Sequence, residues 1–144
     1  PREGIIMNLE PYLFFEGRCD EAIEFYRKAL GAEATALMRY RDNPEGGSVP
    51  PGRKDKVMHA NLRIGETTVM LSDGDCSGQT DFRGFSLCLN PATETEANQM
   101  FDGLSEGGTV LMPLGKTFFS PLFGMVRDRF GLSWMVVVMS PEEP

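Results

Sequence analysis

Apolar positions alternate with polar ones over short stretches and then switch to helical spacing, and this switch occurs twice along the chain. Leu9 to Phe15 reads as a strand. After Gly17, the apolar residues Ala22, Ile23, Tyr26 and Leu30 recur at the spacing of one helix face, and Gly31 stands where a left-handed cap would end the helix. Asp20 and Glu21 in the first turn and Arg27 and Lys28 near the last complement the helix dipole. Ala34 to Arg41 is a second strand. Val57 to Ile64 and Thr67 to Ser72 flank Gly65-Glu66 as a hairpin.

The same order returns after a polar, glycine-containing linker. A strand from Phe85 to Leu89 precedes a helix from about Thr95 to Ser105, closed by Gly107-Gly108. Three short strands follow, Thr109 to Met112, Met125 to Arg127 and Leu132 to Met139. Glu21-Ala22 with Phe25-Tyr26 lines up with Glu96-Ala97 and Met100-Phe101, and Val69-Met70-Leu71 with Trp134-Met135-Val136. A repeat of this length fits one supersecondary module that cannot bury its own sheet face alone. The expectation is an α+β fold of two βαβββ modules forming a curved mixed β-sheet around a cavity, with the helices on the outer face. Residues 9–140 form one domain in this reading, with modules at 9–73 and 85–140 and a linker at 74–84.

Residues 42–56 are rich in proline and glycine and longer than most connections in compact domains, so they read either as a binding-loop lid or as disorder. Residues 1–8 read as disordered or vector-derived, with Met7 as the native start; Pro1 to Met7 lacks the basic segment and apolar core of a signal peptide.

Charge narrows the partners. A formal net charge of -7 makes the surface repel phosphates, which argues against nucleic acid and anionic membranes. No apolar run approaches the roughly 20 residues that span a bilayer. Three cysteines, Cys19, Cys76 and Cys88, with no CxxC spacing suit a reducing compartment, hence the cytoplasm. Cys19 sits at a helix start, where the dipole would favour its thiolate; the simpler reading is an ordinary small residue. Glu66 and Asp73, in turns, read as solvated charge.

The quoted segments resemble the vicinal oxygen chelate superfamily, which embraces glyoxalases, bleomycin-resistance proteins and dioxygenases. Pro11 to Phe15 with Gly17, Glu21 to Tyr26 with Leu30-Gly31-Ala32, His59 to Gly65, Met70 to Asp73, and Asp128 to Trp134 are similar to its PhnB-like branch. A demethylubiquinone methyltransferase label attached to some members finds no support here, because no glycine-rich nucleotide loop follows a strand. In metal-dependent relatives, four side chains from the central strands hold a divalent ion through His and Glu and leave positions open for substrate oxygens. Those places fall at Pro11, Met70, Gly84 (or Phe85) and Met135, none of which is a hard metal ligand. The resemblance therefore implies no protein-bound metal and no cofactor, and the metal-assisted mechanisms lose their Lewis acid. Methionine sulfur is a soft donor suited to Cu(I), but it is also a common filler of apolar space.

The resemblance further implies a homodimer and a cavity lined by Leu13, Phe15, Met70, Ser72, Ser86, Cys88, Met135 and Val137. Phe15, Phe118, Phe119, Phe123 and Trp134 are candidate walls for a planar guest, or core. His59, the only histidine, excludes any two-histidine scheme. It is a candidate general base if an orienting carboxylate stands beside it; a hydrogen-bonded structural histidine is the simpler reading. The function expected is binding of a small apolar or aromatic molecule. The alternatives are an enzyme of unknown reaction, using His59 or a substrate-borne metal, and a non-catalytic structural relative.

Overall fold

The structure is a computed structural model that describes residues 7–43, 49 and 52–139. Its elements run β1 (Tyr12–Phe14), α1 (Cys19–Leu30), β2 (Glu33–Arg39), β3 (Val57–Ile64), β4 (Thr67–Ser72), β5 (Ser86–Leu89), α2 (Glu94–Ser105), β6 (Thr109–Gly115), β7 (Leu122–Arg127) and β8 (Ser133–Val138). This is βαβββ twice over, an α+β arrangement. The ladders form two four-stranded mixed sheets of identical topology, β1-β4-β3-β2 and β5-β8-β7-β6. In each, the first strand of the module lies parallel to the last and the other pairings are antiparallel.

The chain divides into two compact units. One takes the residues up to Ile23 together with Ala32–Gly78; the other takes Glu24–Gly31 and the residues from Gln79 onward. The second unit thus includes the C-terminal part of α1. Among the described residues no helix is long and apolar enough to cross a membrane.

Several element boundaries have local causes. At α1, Gly31 adopts φ +69° and its N–H donates to the Arg27 carbonyl at 3.0 Å, the left-handed cap that a residue with a Cβ would fill only at a cost. At α2, Thr93 is the N-cap: its hydroxyl accepts from Glu96 N–H at 3.1 Å, and Glu96 Oε1 accepts from Ala92 N–H at 3.1 Å. Strand β6 runs three residues beyond the expected Met112 and through Pro113. This is tolerated because β6 is the edge of its sheet, where a missing N–H need not break a ladder. Strand β2 ends at Arg39 rather than Arg41, because Tyr40–Asp42 close into a 3₁₀ turn whose N–H groups bond back to the Lys56 and Lys54 carbonyls.

In the first unit, Leu13, Ala60, Leu62, Val69 and Leu71 are buried. The carboxylate of Asp73 is fully buried with them, which corrects its reading as solvated charge. Its Oδ1 accepts from the Cys19 N–H at 2.8 Å and its Oδ2 from the Val57 N–H at 2.7 Å, so it fastens the start of α1 to the start of β3. In the second unit, α2 packs on β6, β7 and β8 through Ala97, Phe101 and Leu104, with Val126, Trp134 and Val136 buried on the sheet beneath. Tyr26 and Phe25 on α1 join this core, packing edge-on or tilted against Phe130 and Trp134.

Candidate functional site

Strand register decides which side chains share a face. In the first sheet Tyr12 pairs with Met70 and Phe14 with Ser72, and Met70 pairs in turn with Asn61 on β3. Tyr12, Phe14, Met70, Ser72, His59 and Asn61 therefore project from one face, opposite the buried Leu71 and Ala60. Tyr12 and Phe14 are 40% and 50% exposed, and their rings stack at 5.1 Å with an interplanar angle of 29°. The Tyr12 hydroxyl reaches across β4 to lie 2.9 Å from His59 Nδ1, while His59 Nε2 lies 2.8 Å from Asn61 Oδ1.

These contacts fix the imidazole. In the neutral ring, Nε2–H donates to the Asn61 amide oxygen and Nδ1 accepts from the phenol; in the imidazolium both nitrogens donate and the phenol oxygen turns acceptor. Neither partner is a carboxylate, so the orienting acid that a general base would use is replaced by an amide. Burial pushes the Tyr12 phenol above its ordinary pKa, with the neighbouring Cys19 and Tyr40 adding to the rise and a hydrogen bond with Ser72 opposing it. The Ser72 hydroxyl also accepts the Gly74 N–H at 3.0 Å. The arrangement offers a flat aromatic surface beside a proton relay whose protons are already spoken for.

Met70 and Ser72 are brought together with His59, as members of this face. Leu13 and Phe15 are not. They are buried on the opposite face, Leu13 beside Leu71, and the residues in register with Met70 and Ser72 are Tyr12 and Phe14. Residues 11–15 are apolar or aromatic almost without interruption, so alternation could not select the face; the pairing with β4 does. Ser86, Cys88, Met135 and Val137 share one face of the second sheet, with Ser86 opposite Ser133 and Cys88 opposite Met135. Of the candidate aromatic walls, Phe15, Phe123 and Trp134 are core, whereas Phe118 and Phe119 are exposed and stack edge-to-face at 5.2 Å. The expected lid, 42–56, lies at 44–48 and 50–51 outside the described residues. Its described flanks are tied down by paired Arg39–Asp20 hydrogen bonds at 2.9 and 3.0 Å and an Arg41–Asp55 ion pair.

A divalent-ion site of the kind found in metal-dependent relatives is not matched by the donors here. Pro11 and Phe85 supply no ligand atom of that type and Met70 and Met135 supply only thioethers, and among the described residues no three His, Cys, Asp or Glu side chains form a metal-holding group. Cys19 is no thiolate either. Burial, followed by the charge of Asp73, pushes its thiol well above the ordinary range, so the dipole argument made from its position is overridden.

A family model described as 3-demethylubiquinone-9 3-methyltransferase matches residues 7–137. Protein YjdN of Escherichia coli is 34% identical, over 94% of this chain and 98% of its own length. Among solved structures, protein PA1353 from Pseudomonas aeruginosa is 39% identical, with a TM-score of 0.80 over 93% of this chain and 98% of that one. The PhnB protein from Bacillus cereus is 30% identical, with a TM-score of 0.76 over 92% of this chain and 99% of that one. A glyoxalase-related enzyme from Fulvimarina pelagi, 18% identical with a TM-score of 0.63, shares the fold. The chain belongs to the family that this model describes, which is PhnB-like.

Proposed function

We propose that this protein binds a small apolar or aromatic molecule on the open face of its first sheet, without a protein-bound divalent metal or other cofactor, as a cytoplasmic homodimer. The observation that carries the reading is the exposed Tyr12–Phe14 stack beside Met70, with the Tyr12 hydroxyl held by His59. Stacked aromatics left on a surface are a costly arrangement unless something covers them, and a ring lying on them gains both area burial and quadrupole complementarity. Ser72 and the Tyr12–His59–Asn61 chain supply the few polar groups that would orient such a guest.

A second reading is favoured by the same relay. A phenol that donates to imidazole Nδ1 can hand its proton to that nitrogen while taking one from a ligand on the sheet face, which would make the protein an enzyme of unknown reaction with His59 as the acid/base group. Thermal-shift screening of the whole chain against planar aromatic compounds tests both. A hit at a hundred times its dissociation constant adds about 2.7 kcal/mol of stability. Tyr12→Ala and Phe14→Ala should abolish the shift, whereas His59→Gln should leave binding and remove turnover if there is any. A ligand whose shift survives both aromatic substitutions would sink the site.

A further inference from the structure

The second sheet carries sulfur at every position of one cross-strand row. Cys88 on β5 pairs with Met135 on β8, Met135 with Met125 on β7, and Met125 with Met112 on β6. A fifth sulfur lies near the end of the row: the Asn90 amide nitrogen is 4.0 Å from Cys88 Sγ and 3.7 Å from Met139 Sδ. All of these side chains are half-buried or exposed, and Met139 and Met112 are among the large apolar residues left open.

Packing demand alone does not account for this row. The opposite face of the same sheet, which α2 covers, is built from Val126, Trp134, Val136 and Val138 and holds no sulfur. The row at Met70 in the first sheet reads Tyr12, Met70, Asn61 and Ala36, with one sulfur in four. Sulfur is thus concentrated on one accessible line, on neighbouring strands about 4.7–4.9 Å apart. The unbranched methionine side chain lets neighbouring thioethers converge from that spacing.

We propose that this row binds a soft monovalent cation of the Cu(I) and Ag(I) class, with Cys88 and Met135 as the central donors and Met125 and Met139 completing the set. Thiolate and thioether select such ions over hard divalent ones, and the row contains no carboxylate or imidazole. The site shares only Met135 with the places that correspond to the metal-dependent relatives' ligands, and it differs from theirs in donor type, all its ligands being sulfur from one sheet and its edge. On binding, the Cys88 S–H bond breaks, its proton goes to solvent, and the sulfur lone pair bonds the ion; the thioethers donate lone pairs without further change and nothing is oxidised or reduced. The site requires no occupant on the first sheet.

The reduced whole chain, titrated anaerobically with Cu(I) in competition with bathocuproine disulfonate, tests this. Wild type, Cys76→Ser and Met70→Leu should each withdraw one equivalent. Cys88→Ala and Met135→Leu should each weaken retention at least tenfold, with Met125→Leu as the substitute if Met135→Leu does not fold, since leucine keeps nearly the same volume. A wild type that leaves the chelator fully loaded overturns the proposal, and so does loss on Cys76→Ser. Loss confined to Cys88→Ala, with both methionine variants holding the ion as tightly as wild type, reduces the site to a single thiol and also overturns it.

Discussion

The Tyr26 hydroxyl and the Trp134 indole N–H, the latter at 2.9 Å, donate to the same carboxylate oxygen of Asp128. The other oxygen accepts from the backbone N–H groups of Phe130 at 2.8 Å and Leu132 at 3.1 Å. One buried side chain therefore holds the turn before β8, the start of that strand and the C-terminal part of α1. Every partner is a donor, which is why a carboxylate suits the position and an amide does not. Asp128→Ala should cost about 3 kcal/mol or more, because it leaves several buried donors unmade. Asp128→Asn should cost nearly as much, since its NH₂ must face either the indole or two backbone N–H groups. Urea unfolding followed by Trp134 fluorescence reads both; an asparagine variant within 0.5 kcal/mol of wild type by the scale of ordinary surface changes would contradict the all-donor account.

A glycine inside a helix usually costs stability relative to alanine by roughly 1 kcal/mol. Gly103 in α2 should behave in the opposite way. A Cβ added there would lie 2.9 Å from both Cα and Cβ of Ala29 on α1, closer than real Cβ contacts come, and the Ala29 backbone cannot swing aside as a flexible chain end would. Gly103→Ala is expected to lower stability by about 1–3 kcal/mol, the usual cost of overpacking. Ala29→Gly introduced with it should restore part of the loss. Thermal unfolding of the single and double variants provides the check.

These two positions also mark the limit of what the sequence conveys. The order βαβββ, repeated, follows from switches between the periods of 2 and 3.6, and the charges at the ends of α1 and the Gly31 cap are local signals that need no partner. Asp73 carries no such signal: its donors are the backbone N–H groups of Cys19 and Val57, far from it in the chain, so a buried carboxylate and a solvated one look alike in the sequence. Asp128 has local donors in Phe130, Leu132 and Trp134, but its bond to the Tyr26 hydroxyl joins residues from opposite ends of the chain. The site shows the same limit. Ser72 follows from strand alternation, Met70 from the family resemblance and His59 from being the only histidine, but Tyr12 and Phe14 follow from none of these, because an unbroken apolar run gives no phase and a shift of one residue exchanges the two faces. The sulfur row is invisible until the four strands of the second sheet are placed in register.

Cys19 links burial to alkaline stability. Burial first, and then the charge of Asp73 beside it, hold its thiol pKa far above the value in an unfolded chain, near 8.5. As pH rises through that unfolded value, the unfolded state releases its proton while the folded state keeps its own. Stability is therefore fully present below about pH 8.5 and declines above it, with a slope approaching 1.4 kcal/mol per pH unit from this one group. Cys19→Ala should lower stability at neutral pH through lost packing and flatten the decline between about pH 9 and 10, leaving the part owed to Tyr12, Cys76 and Cys88, whose pKa values are also raised. Thiol labelling gives an independent reading: under native conditions the exposed Cys88 should react first and the buried Cys19 only on unfolding. Denaturant midpoints of wild type and Cys19→Ala that keep a constant separation from neutral pH to pH 10 would remove Cys19 as the source of the alkaline loss.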